Sequence, residues 1–247
     1  MKFPTKKVKS VESLLKNLRE HLKELNEPVW FRGHADKAWS LESSFDRLHG
    51  TKNERDLINN FKKHATLILE KNINPNGFEW LFLMQHYGVP TRLLDWTESP
   101  LFGLYFVVSD PNFHDKDGIL WALLPTKLNQ TANYNYSHPS VIPSFDDEDL
   151  EHYLPQKLLQ ISGRGPDLPI AAIATRNNRR MQAQLSVFTI SSGKDHPIDQ
   201  ISDQQHVWKY EVPSESKKNI FQELKYLAIN EFSLFPELDR IWSSLQE

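Results

Sequence analysis

The stretch from Gln85 to Val108 constrains the fold more than any other part of the chain. Gly88-Val89-Pro90 is typical of a helix end, because glycine tolerates the left-handed backbone that follows a helix and proline cannot continue one. The pattern predicts a short strand from Arg92 to Trp96. Ser99 and Pro100 then have the order expected of a helix start, a capping hydroxyl followed by proline at the first helical position. A helix end, a turn, a strand and a second helix therefore follow one another within this one stretch.

The same stretch is rich in polar side chains. They are Gln85, His86, Tyr87, Thr91, Arg92, Asp95, Thr97 and Glu98. A buried polar group without a partner costs about 1–3 kcal/mol, so a segment that served only the core would carry few of them. We predict that the stretch forms the floor of a pocket, with its chemistry concentrated between Asp95 and Ser99.

The composition is that of an ordinary globular chain. Of 247 residues, 39% are hydrophobic and 25% are charged, which suits one large domain. The formal net charge of −3 gives no general attraction to nucleic acid or anionic membranes. Cysteine is absent, which excludes disulfides, thiolate metal sites and a cysteine nucleophile, and fits a reducing compartment. Without a secretory signal or an apolar run of about 20 residues, we expect a soluble cytoplasmic protein with no membrane partner.

Hydrophobic periodicity predicts an α+β fold in a single domain over residues 1–247, with a core from about 28 to 240. Helices dominate the first half, including Glu54 to Lys71 and an apolar helix from Phe78 to His86 that we expect in the centre of the domain. Predicted strands cover Val29–Gly33, Arg92–Trp96, Gly118–Leu124, Ile170–Ala174, Leu185–Ile190 and Val207–Val212. Residues 125–155 are poor in pattern and are predicted to form a long loop or insertion.

Arg32 is the first candidate functional residue, because it lies in an apolar predicted strand. A buried guanidinium requires a partner, so Arg32 meets either a carboxylate of the protein or an anionic ligand. Asp95 and Asp46 are the candidate carboxylates for a purely structural ion pair, and both interpretations stay open.

The second group of candidates lies between a predicted strand and a helix start. Free backbone N–H groups there suit an anion, while Thr97 supplies a hydroxyl and Asp95 and Glu98 supply carboxylates. The alternative is that Asp95 and Ser99 only cap backbone groups. Gln184 is predicted to project from the start of a strand, where an amide can orient a ligand but cannot act as a general base.

Other constellations are weaker. Arg176, Arg179 and Arg180 form a local basic patch whose default interpretation is a solvated turn. The histidines have no metal-ligand spacing and no H-E-x-x-H motif occurs, so no metal site is predicted.

Four sequence blocks resemble the FRG domain family, named for its Phe-Arg-Gly motif. They are W-F-R-G from Trp30, E-W-L-F-L-M-Q-H-Y-G-V-P-T-R-L-L-D-W-T-E-S-P-L-F-G-L-Y-F from Glu79, A-Q-L-S-V-F-T-I from Ala183 and L-F-P-E-L-D from Leu234. The resemblance extends from about Trp30 to Asp239. The family usually has glycine where this chain has Ser186, so we expect a less tightly turned backbone there. The family by itself implies no particular activity.

A second resemblance is to ADP-ribosyltransferases. These enzymes carry an arginine or histidine on a first core strand, a Ser/Thr/Tyr motif on a strand that leads into a helix, and a glutamate or a substitute on a third strand. Arg32, Thr97 and Gln184 occur in that order on elements of that type. The resemblance implies an ADP-ribosyltransferase-like mixed β-sheet core, with NAD as substrate.

The resemblance also implies roles for these residues. Arg32 would hold the NAD phosphates or ribose, Thr97 would support the nicotinamide pocket with Tyr105, and Gln184 would take the acid position. The residues expected to bind NAD are Arg32, Gly33, Asp95, Trp96, Thr97 and Tyr105, with Tyr87 as a further aromatic for stacking. A glutamate in place of Gln184 would stabilise an oxocarbenium-like ribosyl centre by its charge, which glutamine lacks.

Three functions follow as hypotheses. The first is an NAD-binding enzyme of ADP-ribosyltransferase type that transfers ADP-ribose or hydrolyses NAD, its acceptor being protein, nucleic acid or water. The second is a non-catalytic module that binds a nucleotide or a peptide, for which Gln184 is a natural residue. The third is a metal-dependent nucleic-acid-processing enzyme in which Asp95 and Glu98 share a divalent ion.

Overall fold

A computed structural model describes residues 1–69, 75, 77–134, 141–158, 168–175, 179–193 and 196–237. Within these residues one sheet forms from β1 (Lys6–Lys7), β2 (Trp30–His34), β3 (Leu93–Thr97), β4 (Gly118–Leu123), β5 (Ile170–Ala172), β6 (Ser186–Ile190) and β7 (Val207–Val212). Their order across the sheet is β1-β7-β4-β2-β3-β6-β5. The β1–β7 pair is parallel and the other pairs are antiparallel. The prediction of an α+β fold with a mixed sheet is confirmed.

The described residues also form α-helices. They are α1 (Val11–Leu22), α2 (Glu54–Ala65), α3 (Glu79–His86), α4 (Pro100–Val108), α5 (Pro125–Thr131), α6 (Pro155–Leu158), α7 (Arg179–Ala183), α8 (Lys217–Tyr226) and α9 (Glu231–Leu234). Of these, α3, α4, α5 and α7 contact the sheet directly. The predicted start of α4 is confirmed, because Ser99 Oγ accepts from the Phe102 N–H and Pro100 occupies the first turn. None of the helices in the described ranges has the length and apolar character needed to cross a membrane.

Two glycines bring α4 into backbone contact with β2. A Cβ atom added at Gly33 would lie 2.2 Å from the carbonyl oxygen of Gly103, and one added at Gly103 would lie 3.1 Å from Cβ of Phe31. A larger residue at Gly33 would require movement of the main chain, and one at Gly103 would also displace the Leu120 side chain, 2.7 Å from the added atom. This contact fixes the helix against the strand that carries Arg32.

Strands β2 and β3 diverge soon after they meet. They pair only where Phe31 faces Thr97, whereas β2 pairs with β4 from Trp30 opposite Leu123 to His34 opposite Ile119. The sheet therefore opens between Arg32 on one strand and Asp95 on the other.

Several local expectations differ from the structure. Residues 125–155, predicted as loop or insertion, contain α5 and a 3-10 helix at Glu148–Tyr153. Asn129 of α5 accepts from the N–H of Ala171 at 2.7 Å and donates to its carbonyl at 2.9 Å, so a side chain takes the place of a neighbouring strand along β5. Helix α3 buries only one face, through Leu81 and Met84, and is not central.

The predicted helix from Glu54 to Lys71 ends as an α-helix at Ala65, and residues 70 and 71 lie outside the described ranges. Gln184 is not on a strand. It follows α7 and precedes Leu185, whose φ of 49° turns the chain into β6. The tight turn thus lies one residue before Ser186, the position at which we expected a looser backbone.

Candidate functional site

A cleft of about 360 Å³ opens where β2 and β3 diverge. Six of the seven predicted site residues line it: Arg32, Gly33, Asp95, Trp96, Thr97 and Gln184. They come from three distant parts of the chain, and the divergence of the two strands brings them together. The cleft therefore lies beside Asp95, Trp96 and Thr97 of the predicted pocket floor, and Glu98 and Ser99 do not line it.

Arg32 supplies the positive charge of the cleft. Its Nη1 donates to the carbonyl oxygen of Asp95 at 2.6 Å and its Nε donates to His34 Nε2 at 3.1 Å. Burial lowers the pKa of Arg32 to about 10, against the opposing effect of the Asp95 carboxylate, so the guanidinium stays charged at neutral pH. Among the described residues no carboxylate forms an ion pair with it, and neither predicted partner, Asp95 or Asp46, does so.

His34 accompanies Arg32 as a neutral side chain. Burial, followed by the charge of Arg32, lowers the pKa of His34 to about 3. A neutral imidazole has one acceptor nitrogen, and the contact of 3.1 Å from Arg32 is shorter than that of 3.3 Å from the Trp121 indole N–H. His34 therefore accepts from the arginine and cannot neutralise it.

Asp95 and Asp110 bring carboxylates to the cleft, and the carboxylate of Asp95 is supported by side chains that do not line it. Gln85 Nε2 donates to Asp95 Oδ2, and Gln85 Oε1 accepts from the Thr91 hydroxyl at 2.9 Å. The main chain of Thr91 is bonded in turn to the Ser44 hydroxyl. This relay explains the polar density of the stretch, since Gln85 and Thr91 orient the aspartate.

The turn between β3 and α4 is largely satisfied by its own side chains. Thr97 Oγ1 accepts from the N–H of Ser99 at 3.0 Å, and Ser99 Oγ accepts from that of Phe102 at 3.3 Å. Pro100 has no N–H to offer. Few backbone N–H groups of this turn remain to bind an anion. Arg32 is therefore better suited to that role than the start of α4.

Gln184 is fixed by the segment that ends the described chain. Its Nε2 donates to the carbonyl oxygen of Leu234 at 3.0 Å, which leaves the amide oxygen as an acceptor. The neighbouring Arg180 lies with its guanidinium carbon 4.9 Å from the ring centre of Phe235 and also lines the cleft. Arg176, the other end of the predicted basic patch, lies outside the described residues.

The predicted aromatic residues have other places. Tyr105 is 3% exposed in the core beside Phe221 and does not line the cleft. The Trp96 indole is also 3% exposed and donates to Thr189 Oγ1 at 3.1 Å, so it offers little surface for stacking. Tyr87 is exposed on the protein surface at the end of α3.

Sequence reasoning missed the residues that complete the cleft. Trp39, 43% exposed, and Phe106 supply apolar walls, and Arg180 supplies a second cation. Trp39 follows a strand in a turn without periodicity, and no local sequence signal distinguishes such a tryptophan from one that packs in the core. In the described ranges no group of three or more histidine, aspartate or glutamate side chains is arranged to hold a metal ion.

Comparison with known proteins gives one match. No curated protein matches the chain, and no solved structure matches it. The model of the FRG domain family matches residues 27–116, which include β2, α3, β3 and α4. Gln184 and the C-terminal block that we included in the resemblance lie beyond this match. The predicted family is confirmed where Arg32, Gly33, Asp95 and Thr97 meet: residues 27–116 of this chain match the FRG domain.

Proposed function

We propose that the cleft binds NAD as a substrate and that the protein cleaves it or transfers its ADP-ribosyl group. The observation that carries this proposal is the charged Arg32 guanidinium in the cleft, which has no carboxylate ion-pair partner among the described residues. A desolvated cation of this kind is suited to a phosphate, which guanidinium binds through paired hydrogen bonds.

The charge distribution of the cleft supports a ligand that carries both signs. Arg32 and Arg180 contribute cations, and Asp95 and Asp110 contribute anions. NAD combines a pyrophosphate with a cationic nicotinamide ring, and so offers a group to each. A plain nucleoside phosphate would leave Asp95 without a counterpart.

The size and walls of the cleft suit such a ligand. Its volume of about 360 Å³ falls in the range of roughly 300–1,000 Å³ typical of small-molecule sites. Trp39 and Phe106 provide apolar surface against which a base or the nicotinamide can pack.

The reaction would begin at the bond between nicotinamide and ribose. That bond breaks with its electron pair going to nicotinamide, which leaves neutral, and the ribose carbon becomes cationic. Thr97 and Gln184, whose remaining hydrogen-bonding capacity is polar but uncharged, would orient the ribose and nicotinamide amide. The charge that stabilises the ribosyl centre has to come from a residue other than Gln184.

The test is incubation of the purified protein with NAD labelled in its phosphates. Binding with release of nicotinamide supports the proposal, whether the label ends in free ADP-ribose or on an acceptor. Binding without any cleavage supports the alternative of a non-catalytic nucleotide-binding module. Absence of both binding and cleavage would overturn the proposal.

A further inference from the structure

A second, smaller compartment of about 100 Å³ adjoins the main cleft. Three polar residues line both spaces: Asp95, Arg180 and Gln184. Phe82, Phe188 and His86 also line the smaller compartment. The aspartate therefore lies at the junction of two spaces, with Arg32 on one side only.

We propose that the smaller compartment holds the attacking water and that the Asp95 carboxylate takes its proton, which makes the reaction hydrolysis of NAD. This inference rests on the function proposed above and selects its acceptor. Asp95 is then the catalytic carboxylate of the site, and Gln184 is an orienting residue.

The lining of the compartment favours water over a cationic acceptor. Its volume of about 100 Å³ is less than a third of that of the main cleft and exceeds the roughly 10–15 Å³ that an ordered water requires. Asp95, Gln184 and Ser186 offer the polar partners that an ordered water needs. Arg180 opposes entry of a guanidinium or ammonium acceptor by charge repulsion.

The carboxylate is prepared for this role by its supports. Gln85 holds Oδ2, which leaves Oδ1 to accept from water, and Thr91 holds Gln85 in turn. The carbonyl oxygen of Asp95 also accepts a hydrogen bond from Arg32, the residue that would bind phosphate. Asp95 therefore contacts the arginine through its main chain and supplies the carboxylate through its side chain.

The bonds balance without a further reactant. The bond from nicotinamide nitrogen to the ribose C1′ breaks, and its electron pair stays on the neutral nicotinamide. Water oxygen bonds to C1′ while its proton passes to Asp95 Oδ1, and Asp95 returns that proton to solvent. The products are nicotinamide, ADP-ribose and one proton.

The experiment compares wild-type protein with Asp95→Asn, using Asp56→Asn on an exposed part of α2 as the matched control. Asparagine can still accept the hydrogen bond from Gln85, so we expect Asp95→Asn to fold. It should bind NAD about 10-fold more weakly, because the nicotinamide ring loses one countercharge, while kcat falls by about 10²-fold or more, the usual contribution of a general base. Wild type should release nicotinamide and free ADP-ribose in equal amounts.

A second variant tests the supporting relay. Gln85→Met removes the bond to Asp95 at similar volume, and we expect kcat to fall by about 10-fold with KM nearly unchanged. A loss caused only by disturbed packing would instead raise KM and lower the folded fraction together.

The outcomes separate the two proposals. If Asp95→Asn turns over as wild type does, or if the label leaves NAD for an acceptor in place of water, the inference is wrong and the proposed function stands. If wild type neither binds nor cleaves NAD, both are wrong.

Discussion

Two arginines from the same part of the fold show opposite solutions to the burial of a guanidinium. Arg92 is 1% exposed, and its Nε donates to Glu54 Oε1 at 2.8 Å. Its two terminal nitrogens donate to the carbonyl oxygens of Ser191 and Tyr153. Arg32 is half-buried, lines a cleft and meets a main-chain carbonyl and a neutral histidine instead of a carboxylate.

The difference lies in what each arginine leaves for a ligand. Arg92 donates hydrogen bonds to three parts of the protein. These bonds connect α2, the 148–153 segment and the end of β6 to β3. Arg32 keeps unused N–H donors, and no carboxylate among the described residues forms an ion pair with it. Arg92 therefore serves the architecture and Arg32 serves the cleft. The Gln85–Val108 stretch contains residues of both kinds, since Arg92 and the cleft residue Asp95 are only a few residues apart.

The largest effect is expected from Arg92→Met. This change leaves the Glu54 carboxylate buried without its partner, and breaking such a pair costs about 3–5 kcal/mol. Denaturant unfolding of the variant measures the loss. Arg92→Met combined with Glu54→Met should recover much of it, because no isolated charge remains. A single variant within 1 kcal/mol of wild type would contradict the structural role.

Arg32→Met should reverse that balance between stability and binding. We expect the free energy of unfolding to change by less than about 1.5 kcal/mol, since the lost bonds are offset by removal of a desolvated charge. Affinity for NAD should fall by at least about 10-fold, the value of one charged hydrogen bond. Arg19→Met, on the exposed face of α1, is the matched control. Unchanged affinity in Arg32→Met would show that the ligand does not contact this residue.

Local patterns predicted most elements because their causes are local. The cap at Ser99, the proline at Pro100 and the alternation of Val207–Val212 each depend on a few adjacent residues. Strand β1 was missed because two residues carry no periodicity, and α7 was missed because its five residues read as a polar turn.

The partners of the site residues depend on contacts across the sheet. Arg32 meets the carbonyl of Asp95 and not its carboxylate at the place where the pairing of β2 with β3 ends. The sequence contains both residues but does not show where that pairing stops. Tyr105 was placed in the pocket by the resemblance to ADP-ribosyltransferases. The sequence could not correct that placement, because an apolar helix such as α4 does not reveal which of its sides meets the sheet.

The pH dependence of the free energy of unfolding tests whether His34, the neighbour of Arg32, is neutral in the folded protein. The pKa of His34 is lowered from 6.5 to about 3, by burial first and then by Arg32, while Arg47 adds to the effect and a bond to Trp39 opposes it. A depressed pKa in the folded state gives stability that is complete above pH 6.5 and is lost as pH falls towards 3.

The expected slope from His34 is at most about 1.4 kcal/mol per pH unit within that window. His34→Gln, which keeps an acceptor for Arg32 but does not titrate, should flatten this part of the profile. Because burial lowers the pKa of His206 as well, the measured quantity is the difference between wild type and variant, obtained by denaturant unfolding at several pH values. Identical slopes would mean that His34 is charged in the folded protein.

The smallest effect is expected from Ser99→Ala. This variant tests whether the start of α4 stabilises the fold without binding the ligand. Ser99 caps α4 through the N–H of Phe102 and does not line the cleft, so its loss should cost about 1 kcal/mol of stability, the usual value of a helix cap. Affinity for NAD should remain at the wild-type value, because the turn offers few free backbone donors to an anion. Thermal unfolding and NAD titration of the same preparation measure both quantities. If the variant loses affinity while keeping its stability, the anion binds at the start of α4 and not at Arg32. The contrast between the two arginines would then no longer indicate where the ligand binds.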